Sequence, residues 1–191
     1  MNAAIHDSAD VEAGASVGAG TRVWRNVHIR AGAKVGKECV IGGGAFIDTD
    51  VQIGDRVKIE NNAMLFAPAR VEDGAFIGPG ACLTNDPRPR AVTPDGQPKD
   101  QADWHPDGVV VGEGASVGAM SVVLPGVVIG PWSMIGAGAT VTRDVPAHGL
   151  AVGNPARLVG WACLCGRTLD DQLICSCGRT YEKATDGLVL V

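Results

Sequence analysis

"IGDRVKIENNAMLFAPARVEDGAFIGPGACL", residues 53–83, carries an aliphatic residue at every sixth position: Ile53, Ile59, Leu65, Val71, Ile77 and Leu83. Followed backward, the same beat passes through Ile47, Ile41, Val35, Ile29, Val23, Val17 and Val11 to Ile5. Four residues after each beat stands a mostly small residue, such as Ala33, Cys39, Ala45, Ala63, Ala69 or Ala75. A period of six is neither the 3.6 of a helix nor the 2 of a continuous strand. It fits a short strand followed by a corner, with three such units closing one coil of a triangular parallel β-helix. The aliphatic residue fills the prism, and the small one lets the next corner close. Gly54-Asp55, Gly78, Gly112 and Gly136 are read as corner residues where φ turns positive. Coils repeat every 18 residues, so Leu83 lies over Leu65, Ile47 and Ile29, and Ile77 over Ile59 and Ile41.

The beat stops after Leu83 and resumes at Val111, Val117, Val123, Ile129, Ile135 and Val141. Twenty hexads taken in threes predict an all-β domain of six to seven coils over residues 1–147, interrupted by one long excursion at 84–110. An exit segment follows at 148–162, where a Gly-Asn-Pro turn ends the strand run, and then a small Cys-rich tail at 163–191. The aliphatic positions report scaffold alone, so function is sought where the chain departs from the beat.

Composition narrows the partners. Among 191 residues, aromatics make up 4%, so the core is built from Val, Ile, Leu and Ala. A net charge of −5 argues against nucleic acid, whose phosphates need a basic face. "MNAAIHDSAD" has neither the basic start nor the apolar run of a secretory signal, and no apolar stretch is long enough to span a bilayer. The expectation is a cytoplasmic protein with no membrane partner.

Four departures are candidates for a site. The excursion opens with Thr84, Asn85, Asp86, Arg88 and Arg90 and later carries Trp104-His105-Pro106; a loop of this length is expected to be a flap over a site rather than slack chain. The corner after Ile59 reads Glu60-Asn61-Asn62. There Asn62 is as well explained by a local turn as by a ligand, and Asn61 beside Glu60 is the better contact. In "VWRNVHIR", 23–30, Trp24 follows an inward position and should face out, beside His28, as a platform for a base or sugar. Near the exit, Arg143 and Arg157 are suited to phosphates if a ligand runs along the last coils.

The tail holds four thiols in a duplicated phrase, "LCGRTL" and "SCGRTY". Cys163, Cys165, Cys175 and Cys177 on two Gly-containing turns suit tetrahedral structural zinc, which would replace the core that so short a segment lacks. One residue, not the usual two, separates the cysteines of each pair, and free or oxidised thiols are the competing reading. Four Cys ligands would leave no open position, which argues against a catalytic zinc there.

The hexads from residue 5 to about 147 resemble the hexapeptide-repeat acyltransferases, a family of left-handed parallel β-helices assembled as trimers. Over about residues 23–161, "VKIENNAML", "VEDGAFIGPGACLTND", "PRAV" and "AVGNPARLVGW" are similar to the N-acyltransferases of nucleotide-linked amino sugars, in particular those acetylating a 3-amino group. The resemblance implies acetyl-CoA as cosubstrate, a nucleotide-linked amino sugar as acceptor, and a homotrimer with CoA between subunits. It matches Asn85 to an amide at the acceptor amine, and Gly118, Ala119, Gly136, Ala137, Arg143 and Arg157 to the CoA groove. Gly43-Gly44 and Asp48-Thr49 depart from corners common in the related glucuronate enzymes, which leaves the sugar open.

The residues themselves favour an amine acceptor. An alcohol usually needs a general base, most often His, and no His stands at the Thr84–Asp86 corner. Asn85 can only accept a hydrogen bond and aim an amine. Asp86 is the rival base and His105, on the flap, the outsider, which would make an O-acetyltransferase the alternative. A carbonic anhydrase of this fold would need three His at facing positions, and His6, His28, His105 and His148 lack that spacing. A non-catalytic scaffold is the remaining alternative.

Overall fold

A computed structural model describes residues 2–191. Twenty strands, β1 (Ala4–Ile5) to β20 (Thr140–Val141), are two residues long each and build three parallel sheets that wrap a prism. We call its faces A, B and C, from the sheets that contain Ile5, Val11 and Val17. Register follows the 18-residue repeat: Ile59 pairs with Ile41 and Ile77, and Leu65 with Ile47 and Leu83. Across the excursion Val71 pairs with Val111, forty positions on, so the ladder continues as if the loop were absent. The loop leaves after β14 (Cys82–Leu83), and the strand resumes at β15 (Val110–Val111). Between them stand a bridge from Val92 to Pro98 and one 3-10 turn, Gln101–Asp103, capped by Asp100.

Every beat from Ile29 to Leu83 is buried, with Ile29, Ile41, Ile47, Ile59, Leu65, Ile77 and Leu83 wholly inaccessible. The small companions Ala33, Cys39, Ala63, Ala69 and Ala81 are equally buried. At the first coil Ile5 is 44% exposed, because no coil stacks on its outer side.

Three expectations need correction. Gly54, Gly78, Gly112 and Gly136 do not have positive φ; the left-handed residue sits two positions later, at Arg56, Gly80, Gly114 and Gly138. The glycines serve close approach instead: a Cβ on Gly78 would lie 2.6 Å from the Ala119 nitrogen, and one on Gly112 2.7 Å from the Pro131 nitrogen. The coil count is also larger, with seven coils and the start of an eighth. The third face of the seventh is reduced to a bridge from Val145 to Ile129, and β21 (Gly149–Val152) adds to face A by pairing with β19 (Met134–Ile135). Ala151 stacks on Ile135 sixteen positions on, two short of the repeat, so six-residue counting misses it. Finally, the Gly-Asn-Pro turn does not end the strands. It folds β22 (Arg157–Trp161) back antiparallel on β21.

Candidate functional site

The corner that begins the excursion is held from two sides. Thr84 follows the inward Leu83, and its N–H and hydroxyl both donate to the Val123 carbonyl, at 3.0 and 2.7 Å. Asn85 Nδ2 donates to the Ala67 carbonyl of the coil below at 2.6 Å. A backbone carbonyl only accepts, so the amide must turn its nitrogen inward and leave Oδ1 for another partner. The Asn85 carbonyl accepts from the Asp107 N–H at 2.8 Å, which closes the neck of the loop beside this corner. Asp86 accepts from the Arg88 N–H at 2.8 Å, an Asx turn that starts the flap and occupies one of its oxygens. Arg88, Arg90 and His105 are exposed, with Arg90 bonded to the Pro89 carbonyl.

Below Asn85 the same edge carries a stack of polar residues that the sequence reading did not connect to it. Asp48 is 7% exposed, yet its carboxylate takes Arg30 Nη1 and the Thr49 N–H at 2.8 Å and the Ala67 N–H at 3.2 Å. Asp48 thus braces the peptide segment whose carbonyl orients Asn85. Two coils further down, Glu12 binds His28 Nε2 and the Ala31 N–H, both at 2.8 Å. The Ala31 amide, and then His28, hold the Glu12 carboxyl below the usual range. His28 is therefore tied to Glu12 and stands edge-on to Phe46, 5.5 Å between centroids, rather than free in solvent. Stacking at 18-residue intervals puts Glu12, Arg30, Asp48 and Phe66 in line with Thr84, a signal the sequence already contained.

The other edge of face B holds a second group. Trp24, 52% exposed, lines a recess of about 450 Å³ with Arg25, Gly42, Gly43, Lys58, Glu60 and Asn61. Glu60 is paired with Lys58 at 2.7 Å. Asn62 has φ +57 and is the turn residue of its corner. Gly118, Ala119, Gly136 and Ala137 continue this edge upward. Asn85 lies one face away, six residues past Pro79, at most about 20 Å along the chain. Asn85 is not among the residues that line the Trp24 recess.

Arg143 sits on the Asn85 edge, two coils above it, since Leu83 pairs with Val123 and Val123 with Val141. At about 4.8 Å per coil the rise is roughly 10 Å. Arg143 and Arg157 line one cleft of about 210 Å³ with Val141, Pro146, Ala151 and Leu158. In the tail, Cys163, Cys165, Cys175 and Cys177 bring their sulfurs within 4.8 Å of one another, a set able to hold a metal ion. The Arg179 N–H and guanidinium hold the Cys177 thiol down to about 6. Among the described residues no helix is long and apolar enough to cross a membrane.

Residues 14–49 and 108–143 match the bacterial transferase hexapeptide repeat, and residues 32–67 the hexapeptide repeat of succinyl-transferase. A dTDP-3-amino-3,6-dideoxy-alpha-D-galactopyranose 3-N-acetyltransferase from Aneurinibacillus thermoaerophilus is 49% identical over 83 residues, 42% of this chain and 43% of that protein. Serine acetyltransferase 4 of Arabidopsis thaliana is 41% identical over 70 residues, 37% of this chain and 19% of that protein. These matches span less than half the length of either relative. Among solved structures, a mutant perosamine N-acetyltransferase from Caulobacter crescentus, in complex with CoA and GDP-perosamine, is similar at 28% identity and a TM-score of 0.50. That likeness covers 84% of this chain and 57% of the other. Residues 14–49 and 108–143, which carry the hexapeptide-repeat match, lie in the coils of the prism, so coil, register and sequence similarity agree over those segments.

Proposed function

We propose that the chain is an acyl-CoA-dependent N-acetyltransferase that moves an acetyl group from acetyl-CoA to the amine of a nucleotide-linked amino sugar, with a 3-amino sugar favoured. The observation that carries this reading is the Asn85 amide, fixed by the Ala67 carbonyl so that Oδ1 is presented at a rigid corner. An acceptor aimed by an amide oxygen has to be reactive without a strong base, and an amine is. The 3-N-acetyltransferase and perosamine N-acetyltransferase relatives point to the same substrate class.

In this scheme Asn85 Oδ1 accepts a hydrogen bond from the substrate amine and directs its lone pair at the thioester carbonyl. The N–C bond forms, the C–S bond breaks, and the proton shed by the ammonium ends on the CoA sulfur. Orientation supplies much of the acceleration. Arg143 and Arg157 are suited to the CoA phosphates at the upper end of the same edge. The Trp24 recess, with Glu60 and Asn61, is suited to the sugar nucleotide, and at the Gly118–Ala119 and Gly136–Ala137 corners the glycine N–H groups bond the Ile135 and Ala151 carbonyls, which leaves the Ala119 and Ala137 amides for a ligand. A second copy that brings its edge across a groove would let the two edges of face B serve one ligand, as in the homotrimer that the family resemblance implies.

An O-acetyltransferase is the second reading. His105 lies two residues before Asp107, whose N–H binds the Asn85 carbonyl, so the flap neck carries an imidazole near the corner. Release of CoA across a panel of UDP- and dTDP-linked amino sugars, with their hydroxyl counterparts as controls, separates the readings. Turnover confined to the amino sugars is expected; turnover of the hydroxyl sugars alone would reject the N-acyl reading, and no CoA binding would leave a scaffold.

A further inference from the structure

We infer that Cys163, Cys165, Cys175 and Cys177 form a tetrathiolate zinc site, and that the metal clamps the tail into a cap on the last coil of the β-helix. This inference is independent of the reaction proposed above. The first observation is the shape of the cluster. All four sulfurs lie within 4.8 Å of one another, and the pairs Cys163–Cys177 and Cys165–Cys175 are both 3.6 Å apart. A tetrahedron with Zn–S bonds of about 2.3 Å has edges of about 3.8 Å.

The second observation is the repetition of the backbone around it. The Cys163 N–H donates to the Arg167 carbonyl and the Gly166 N–H to the Cys163 carbonyl, both at 2.8 Å. Cys175, Arg179 and Gly178 repeat those two bonds at the same length. Gly166 and Gly178 have φ of +82° and +90°, so each turn needs the residue it has. Two knuckles of one design thus deliver their thiols to one point. Each contributes one buried sulfur residue, Cys163 or Cys175, and one exposed, Cys165 or Cys177.

The surroundings suit a thiolate cluster. The Tyr181 hydroxyl donates to Cys163 Sγ at 3.2 Å and accepts from the Leu164 N–H at 2.9 Å, so it is oriented from behind. Arg179 Nη1 donates to Cys177 Sγ at 3.3 Å. Four thiolates around Zn²⁺ carry two net negative charges, and such donors are the outer partners that a site of this charge needs.

The tail also lacks an alternative source of order. Its buried cluster is Cys163, Leu169, Cys175, Tyr181 and Leu188, so two of its five members are the thiols themselves. Domains this small usually need a metal or disulfides. The tail is nonetheless fastened to the prism. The hairpin of β23 (Tyr181–Ala184) and β24 (Gly187–Leu190) bridges Ala147 through Gly187, and the Ala147 N–H donates to the Asp186 carbonyl at 2.9 Å. A Cβ on Gly187 would lie 2.7 Å from the Ala147 nitrogen. His148, buried at that corner, stands edge-on to Tyr181 at 4.9 Å and bonds the Ala162 carbonyl at 2.8 Å. Solenoids need such caps where stacking ends.

The test is elemental analysis of the full chain, purified in reductant without added metal and dialysed. About one zinc per chain is expected, together with the tetrahedral visible bands and sulfur-to-metal charge transfer of a thiolate site after Co²⁺ exchange. Cys165→Ser, which alters an exposed ligand and opens no cavity, should cut bound zinc at least about tenfold while the far-ultraviolet circular dichroism of the prism persists. Four thiols that titrate freely in the native protein without metal, two disulfides between the knuckles, or iron in place of zinc would each overturn the assignment. So would a Cys165→Ser protein that keeps its zinc.

Discussion

Replacing Asn85 with Ala separates what the amide does for the corner from what it does for a substrate. The side chain has two ends. Its nitrogen bonds the Ala67 carbonyl at 2.6 Å, a neutral bond worth about 0.5–1.5 kcal/mol, so the stability loss should be about 1 kcal/mol and the prism should stay folded. Its oxygen is assigned to the reacting amine, where a hydrogen bond to a charged or charging group is worth about 1.5–3 kcal/mol. Loss of that bond should lower kcat/KM about 10- to 100-fold, mainly in kcat if the contact tightens in the transition state. Asn85→Asp keeps an acceptor but sets a carboxylate oxygen against the Ala67 carbonyl, so the side chain must swing out and activity should fall at least as far. CoA should be measured chromatographically, because the protein has six cysteines of its own, four of them in the proposed zinc site, that complicate a thiol-reagent readout. A folded Asn85→Ala enzyme within about twofold of wild type would refute the positioning role, and loss of nearly all turnover in His105→Ala alone would move the chemistry to the flap.

Other perturbations test separate parts of the structure. Arg143→Ala and Arg157→Ala should each raise the KM for acetyl-CoA by about tenfold, the low end for a charged hydrogen bond because the cleft is open to salt, with little change in KM for the amino sugar. Leu65→Ala removes a wholly inaccessible side chain and should cost about 2–5 kcal/mol in denaturant unfolding. Burial pushes His148 below its ordinary 6.5, so the unfolded chain takes up a proton first and stability should fall as pH drops through that value. His148→Asn, which tolerates the φ of +62°, should flatten that part of the thermal-stability profile, and an unchanged slope would assign the pH dependence elsewhere.

The prism was legible because its rule is local. An aliphatic residue every six positions and a small one four later describe each coil in the same way, and stacking at 18 residues follows by counting. Leu83 could be assigned to the prism, and Asn85 to a corner, without coordinates. The same counting failed at Ala151, because the last turn contracts by two residues, and it misread Gly54, Gly78, Gly112 and Gly136. Composition suggested torsional freedom for those glycines, whereas the constraint is the next coil's backbone, which no single hexad contains.

The site was legible in its parts but not in its connections. Sequence alone determined a three-sided coil, a polar break after Leu83, an outward Trp24 and four thiols in a duplicated phrase. Tertiary structure decided how the Asn85 amide points, because the carbonyl that orients it belongs to Ala67, 18 residues earlier, and is braced by the buried Asp48. It placed Trp24 and Asn61 on one edge of a face and Asn85 on the other, since the strands of that face lie between the two corners. It also gathered the thiols, because the cross-pairs join cysteines 10 and 14 residues apart on different turns. A repeat encodes contacts one coil away; side-chain direction and contacts between unlike segments depend on packing that exists only once the coils have closed.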